Sequence, residues 1–220
     1  MPDPSPVVGT LAQLQALGIN DGVGDIYAAL MTTEDTGTSA PVYGDVDLIA
    51  EAVEFSLTPN YAETTKSASN RTIRKIKRLT TVDFSATIPR ITAAMRQRYL
   101  GRVVDGNGGE LVADALAPNC AIGFCITRDD DSSLMGWLLK VRLNEGDLSG
   151  KTREDGTIEY QDQTIEGSGV KLAYEYTDSN DKNWGIVMYL ADTSDTNCQW
   201  TKANFFAAVR TPWSTVPSGT

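Results

Sequence analysis

From Gly24 onward, apolar and polar residues alternate with a period of two, and the chain reads as a succession of strands. Gly24–Met31 is a first strand, followed by a Gly/Ser/Pro loop through Val42. In Leu48–Leu57, Ile49, Val53, Phe55 and Leu57 share one face, interrupted by Glu51, which predicts a half-buried strand. Leu79–Ile88 sets Val82, Phe84, Ala86 and Ile88 against Thr81, Asp83 and Ser85. Cys120, Ile122, Phe124 and Ile126 share a face of the next strand. Met135, Trp137, Leu139, Val141 and Leu143 do so in the one after, and Asp129–Ser133 joins the two as a polar hairpin loop. Val170–Tyr176 and Trp184–Leu190 predict a further pair, with Trp137 and Trp184 facing the core.

One helix is well punctuated, over residues 88–100. Thr87 suits its N-cap, Pro89 its first turn and Gly101 a left-handed C-cap, and Ile91, Met95 and Tyr99 form its apolar stripe. Trp200–Val209 predicts a last short helix carrying Phe205, Phe206 and Val209. Residues 1–22 read as an arm, with a short helix at Leu11–Leu17, and residues 211–220 as a loose C-terminal tail. Between them, residues 23–210 form one mainly β domain, a β-sandwich or partly open barrel with a flanking α-helix. Residues 58–78 start Ser/Thr/Asn-rich and turn basic, and read as a long extended loop that orders only on assembly.

Composition narrows the chemistry. The chain has 220 residues and no histidine, which removes Ser-His-Asp and Cys-His nucleophile pairs and His-based zinc sites. Carboxylate pairs are plentiful but none is marked out, so the expectation is a non-enzyme with no cofactor and no metal. Three cysteines suit a reducing compartment. Cys120 and Cys125 lie five apart on one strand, hence on opposite faces, where they cannot bridge. No apolar run is long enough to span a membrane, and the N-terminus lacks the pattern of a signal peptide. Asp129–Ser133 and Asp178–Asn183 fail the calcium-loop pattern, with Lys140 and Tyr189 where a Glu is needed. The glycine clusters at Gly22–Gly24 and Gly106–Gly109 lack a nucleotide-binding context and read as turns.

Charge is unevenly distributed. The net charge is −10, yet residues 1–60 hold nine acidic residues and no Lys or Arg, whereas residues 61–102 hold ten basic and two acidic ones. Arg71, Arg74, Lys75, Lys77 and Arg78 put five cations into eight residues. Such a run invites nucleic acid, but the chain is acidic overall and no aromatic interleaves the run to stack on bases. A basic edge that meets acidic surface on a neighbouring copy, or a solvated strand whose cations discourage edge pairing, fits better.

Several segments, taken in order, resemble the siphophage major tail proteins. These are Gly24–Thr33, Glu51–Pro59 with Tyr61-Ala62, and Leu100-Gly101 with Asp105-Gly106. Ala117–Phe124, Trp137–Lys140 and Thr152 through Gly167 continue the likeness, which covers roughly residues 22–176. The sequence departs from that pattern where the loop after Tyr61-Ala62, commonly acidic in the family, carries Lys66 and Arg71. The resemblance implies hexameric rings stacked into a tail tube, a structural virion component built in the host cytoplasm. DNA passes along that tube without specific binding. Its implied partners are further copies of the chain, a tape-measure protein and tail initiator and terminator proteins, with no membrane. Tyr61, Lys66, Arg71, Arg74, Lys75, Lys77 and Arg78 are then the candidate subunit contacts. A tail terminator or other injection-tube component, and a β-sandwich binding module, are the alternatives.

Overall fold

The computed structural model describes residues 20–52, 54–68, 71–111, 116–146 and 162–216, without side chains at 20, 21, 23, 51, 66–68 and 71–74. The arm up to Ile19, its expected helix at Leu11–Leu17 and the last four residues lie outside the described residues.

The chain is mainly β. Its elements are β1 (Asn20–Thr33), β2 (Val42–Glu51), β3 (Glu54–Ala68), β4 (Arg71–Ile88), α1 (Ala93–Tyr99), β5 (Val103–Val104), β6 (Glu110–Leu111), β7 (Asn119–Arg128), β8 (Ser133–Glu145), β9 (Gln163–Val170), β10 (Glu175–Thr177), β11 (Asn183–Gly185), β12 (Met188–Asp192) and α2 (Lys202–Phe205). One antiparallel sheet dominates, in the order β2-β1-β7-β8-β9-β4-β3, with β12 paired to the first half of β8. β5 pairs with β6, and β10 with β11, as two small separate ribbons.

Covalent connectivity forces this sheet to curl. β2 and β3 stand at opposite ends of the strand order, yet only residues 52 and 53 separate them. Three Cα steps reach at most ~11 Å. In a flat sheet, six strand spacings would hold the same ends ~29 Å apart. The sheet therefore rolls into a half-barrel whose first and last strands converge at Glu51 and Glu54, a partly open barrel. The single strand expected over Leu48–Leu57 is broken at that junction into β2 and β3. Its apolar face survives the break, since Ile49, Phe55 and Leu57 all pack on the barrel core.

The concave core holds Ile26, Val82, Phe84, Ile122, Phe124, Leu138 and Val141, with Ile91 and Tyr99 from the α1 region. A second core lies on the other face of β1, β7 and β8, around Trp137, Cys125, Leu139 and Phe205. Cys120 and Cys125 fall in different cores, as their spacing requires. Gly123 makes the outer packing possible: a Cβ there would stand 2.9 Å from the Trp137 ring. The C-terminal segment supplies the lid of this second core. Tyr27 and Phe206 stack at 4.3 Å between centroids, and Trp137 donates its indole N–H to the Phe205 carbonyl at 3.3 Å.

Four expectations need correction. Residues 211–216 are not a loose end, because Thr211 is buried and Trp213 and Val216 pack on the second core. The helix starts later than the cap at Thr87 requires. Thr87 stays in the sheet, paired with Glu54 and Thr164, and Gln163 takes the Ile91 N–H at 2.6 Å, so Thr92 becomes the cap. The expected helix at Trp200–Val209 forms only over α2, closed by a capping box between Thr201 and Asn204. Trp184 does not face the core. It sits 47% exposed on the β10–β11 ribbon, its indole N–H bonded to Asp178 at 2.9 Å and Lys182 3.9 Å above its ring.

Candidate assembly hairpin

The expected loop over residues 58–78 is instead the far part of a long β3–β4 hairpin. Thr58, Thr64, Thr65 and Thr72 are β-branched residues that suit a pleated strand even though few large apolar side chains accompany them. The hairpin has two parts. Near the body, β4 is flanked on both sides, by β3 and by β9, over Thr81–Ile88. Beyond Thr81 only β3 accompanies it among the described residues, from Tyr61↔Leu79 out to Ala68↔Arg71. This distal ribbon extends ~25 Å at ordinary strand rise.

A β-bulge marks the point where the ribbon leaves the body. The register slips between Asn60 and Tyr61, leaving Thr80 as the extra residue. Side chains fix it there: Thr80 donates to the Asn60 carbonyl at 2.9 Å, and the Asn60 amide donates to Asp83 at 2.7 Å and to Thr81 at 3.1 Å. Ser168 also donates to Asp83, at 2.7 Å. With Ser168 and Asn60 both donating to it, the Asp83 carboxyl is held below its ordinary pKa.

The register brings the candidate contact residues together. Lys66 stands opposite Arg74, Arg78 opposite Ala62, and Ala68 opposite Arg71. The side chains of Lys66, Arg71 and Arg74 lie outside the described residues. Lys75 and Lys77 flank one carboxylate, Glu63, at 2.7 and 3.7 Å. All three are open to solvent, at 57%, 63% and 37% exposure for Lys75, Lys77 and Glu63. Tyr61 projects beside them, with most of its surface exposed. Along Tyr61–Leu79 the sequence carries six cations against the single carboxylate of Glu63. Glu63 escaped sequence reading because its link to Lys75 and Lys77 exists only once the hairpin register is known.

At the other end of the sheet, β2 pairs only with β1 among the described residues, and Asp45, Val42 and Leu48 are exposed on it. Asp47 is engaged from behind, by Arg98 at 3.0 Å and by the Tyr99 hydroxyl. A second charged cluster is structural rather than available. Asp35 is buried, meets the Lys140 ammonium at 2.7 Å and accepts the backbone N–H groups of Ala173 and Tyr174. Burial opposes ionisation of Asp35, but Lys140 and those N–H groups outweigh it and hold the carboxyl below its ordinary pKa. Lys140 also binds Glu34 at 2.7 Å, tying the loop after β1 to β8. No protein-family model matches this chain, and no curated protein matches it significantly.

Proposed function

We propose that this chain is a structural, non-enzymatic subunit that assembles with copies of itself into stacked hexameric rings, the tail tube of a long-tailed bacteriophage. The observation that carries the reading is the distal ribbon. A two-stranded ribbon is marginal in water without further packing. Here one projects from a body that already has two complete cores, bearing exposed cations and Tyr61. A neighbouring copy would offer it the carboxylates of residues 1–60, which carry no cation, with Asp45 and Glu54 exposed among them. Each exposed ion pair is worth only about 0–1 kcal/mol, but a ring repeats every contact and the stack repeats the ring. The ordered likeness over residues 22–176 supports the same reading, as does the outer edge of β2, unpaired among the described residues. Cations spent on subunit contacts are also withheld from DNA, which a conduit must not grip by counterion release.

The binding-module alternative draws on one observation, the exposed Trp184. The Lys182 ammonium already occupies a face of that ring, which weakens it as a stacking platform. Negative-stain microscopy of the purified, concentrated protein separates the two readings. The tube reading predicts hollow fibres, and compact monomers under all conditions, including with a tail initiator complex, would overturn it.

A further inference from the structure

The function proposed above leaves unassigned the surface of a neighbouring copy that receives the distal ribbon. Register divides that ribbon into two faces. Tyr61, Glu63 and Thr65 share one of them with their cross-strand partners Leu79, Lys77 and Lys75. This face starts at its base with an apolar pair, Tyr61 and Leu79. Lys77 follows ~7 Å further out and Lys75 ~13 Å out. Glu63, between the two lysines, offsets only one of their charges. A complementary surface therefore needs an apolar recess with carboxylates beyond it at a similar pitch.

Several carboxylates early in the chain are already engaged. Asp25 holds Lys202, Glu34 and Asp35 hold Lys140, and Asp47 holds Arg98. A surface of the required kind lies between β12 and Trp200. Leu134, Tyr189, Leu190, Cys198, Trp200 and Val216 line an open groove there of about 540 Å³, with Asp192 and Asp195 on its rim. Its wall, β12, pairs only with β8 among the described residues, and Leu190 on it is 45% exposed. Asp192 follows Leu190 by two residues, ~7 Å along the strand. Beyond it, the Thr193 N–H bonds the Ser133 carbonyl at 3.0 Å, and the Ser133 N–H bonds the Thr193 hydroxyl at 2.7 Å. These bonds fasten the end of β12 to the turn between β7 and β8, which carries Asp129, Asp130 and Asp131. The corner thus gathers five carboxylates. Two cations stand with them, Arg128 bonded to Asp192 at 2.7 Å and Arg210 at 5.1 Å over the Trp200 ring. The excess is negative, and it lies beyond the apolar recess just as Lys77 and Lys75 lie beyond Tyr61.

Resting on the tube reading, we infer that this groove takes the distal ribbon of a neighbouring copy. Tyr61 sits between Leu190 and Trp200, and Lys75 and Lys77 meet the acidic corner. The native Cys198 makes the test direct. Full chains carrying Cys198→Ser with either Glu63→Cys or Leu79→Cys, both beside Tyr61, are mixed with wild-type chains at high concentration. The mixture is oxidised mildly and digested for mass spectrometry. Any bridge to Cys198 then joins two copies, and the buried Cys120 and Cys125 stay out of reach. At least one ribbon thiol is expected on the wild-type Cys198. A second measurement relies on charge alone. Lys75→Glu with Lys77→Glu, and Asp130→Lys with Asp195→Lys, should each weaken self-association in sedimentation by roughly tenfold, and mixing the two variants should recover it. Ribbon thiols that stay free, or that bridge only to one another, would overturn the inference. So would charge-reversed variants whose mixture recovers nothing. Tubes formed without the Cys198 bridge would leave the tube reading standing and remove this groove from it. Bridged oligomers that never form tubes would do the reverse.

Discussion

The body and the distal ribbon of the β3–β4 hairpin are both made of long antiparallel strands, but different interactions hold them. In the body, β7 is buried on both faces, by Phe124 and Ile122 on the concave side and by Cys125 against the second core. In the ribbon, strand pairing and one ion cluster at Glu63 are what the described residues supply. The difference separates two jobs. The body holds its own shape, while the ribbon, placed by the bulge at Asn60, is the part that the proposed assembly would complete with another copy. Substitutions in the body should therefore act on folding, and substitutions in the ribbon on association.

The largest effect should come from Trp137→Ala. Trp137 is fully buried beneath Phe206, and its loss should cost about 3–5 kcal/mol in denaturant unfolding. A cost below about 1 kcal/mol would mean that the second core does not support the body.

Asp35→Ala should cost somewhat less, about 2–4 kcal/mol, because it strands the Lys140 ammonium with only the exposed Glu34. The folded-state pKa of Asp35 is depressed. Its contribution is thus complete above the unfolded value, near ~3.9, and is lost as the pH falls through the lower folded value. The stability gap between wild type and variant should accordingly be constant at neutral pH and shrink toward pH 3. A gap that widened in acid would contradict the assignment.

Glu63→Gln should have the smallest effect on folding, within about 0.5 kcal/mol, because both of its partners are exposed. It should still change the salt dependence of association by leaving Lys75 and Lys77 uncompensated. Equal unfolding curves combined with a shifted salt dependence would sharpen the contrast between body and ribbon, and a large loss of stability would erase it.

The body was largely legible in the sequence because its strands bury alternating large residues. Phe84, Phe124 and Trp137 announce their faces directly, and Cys120 and Cys125 divide between the two cores as their spacing requires. Other elements left no such mark. β9 carries Gly167 and Gly169 where side chains would signal a strand. The reason is spatial: a Cβ at Gly167 would lie 2.7 Å from Val141 and 2.8 Å from the Arg142 carbonyl. The ribbon was read as a loop because it faces solvent, so its strand character rests on Thr side chains and on a register that no local pattern encodes. Trp184 shows the converse error, a large aromatic that hydrophobicity assigns to the core but that a small separate ribbon holds outside. The candidate site was thus legible as a charge pattern along residues 61–78, and its geometry was not.

The central claim is that the ribbon cations serve contacts between copies. Arg74→Glu, Lys75→Glu and Lys77→Glu combined in one chain test it most directly, with wild type and variant compared by circular dichroism and by negative-stain microscopy at high concentration. The account predicts an unchanged fold in both proteins, hollow tubes from wild type that form less readily as salt rises, and no tubes from the variant. Normal tubes from the triple variant would contradict it and would place these cations on a surface that no neighbouring copy touches.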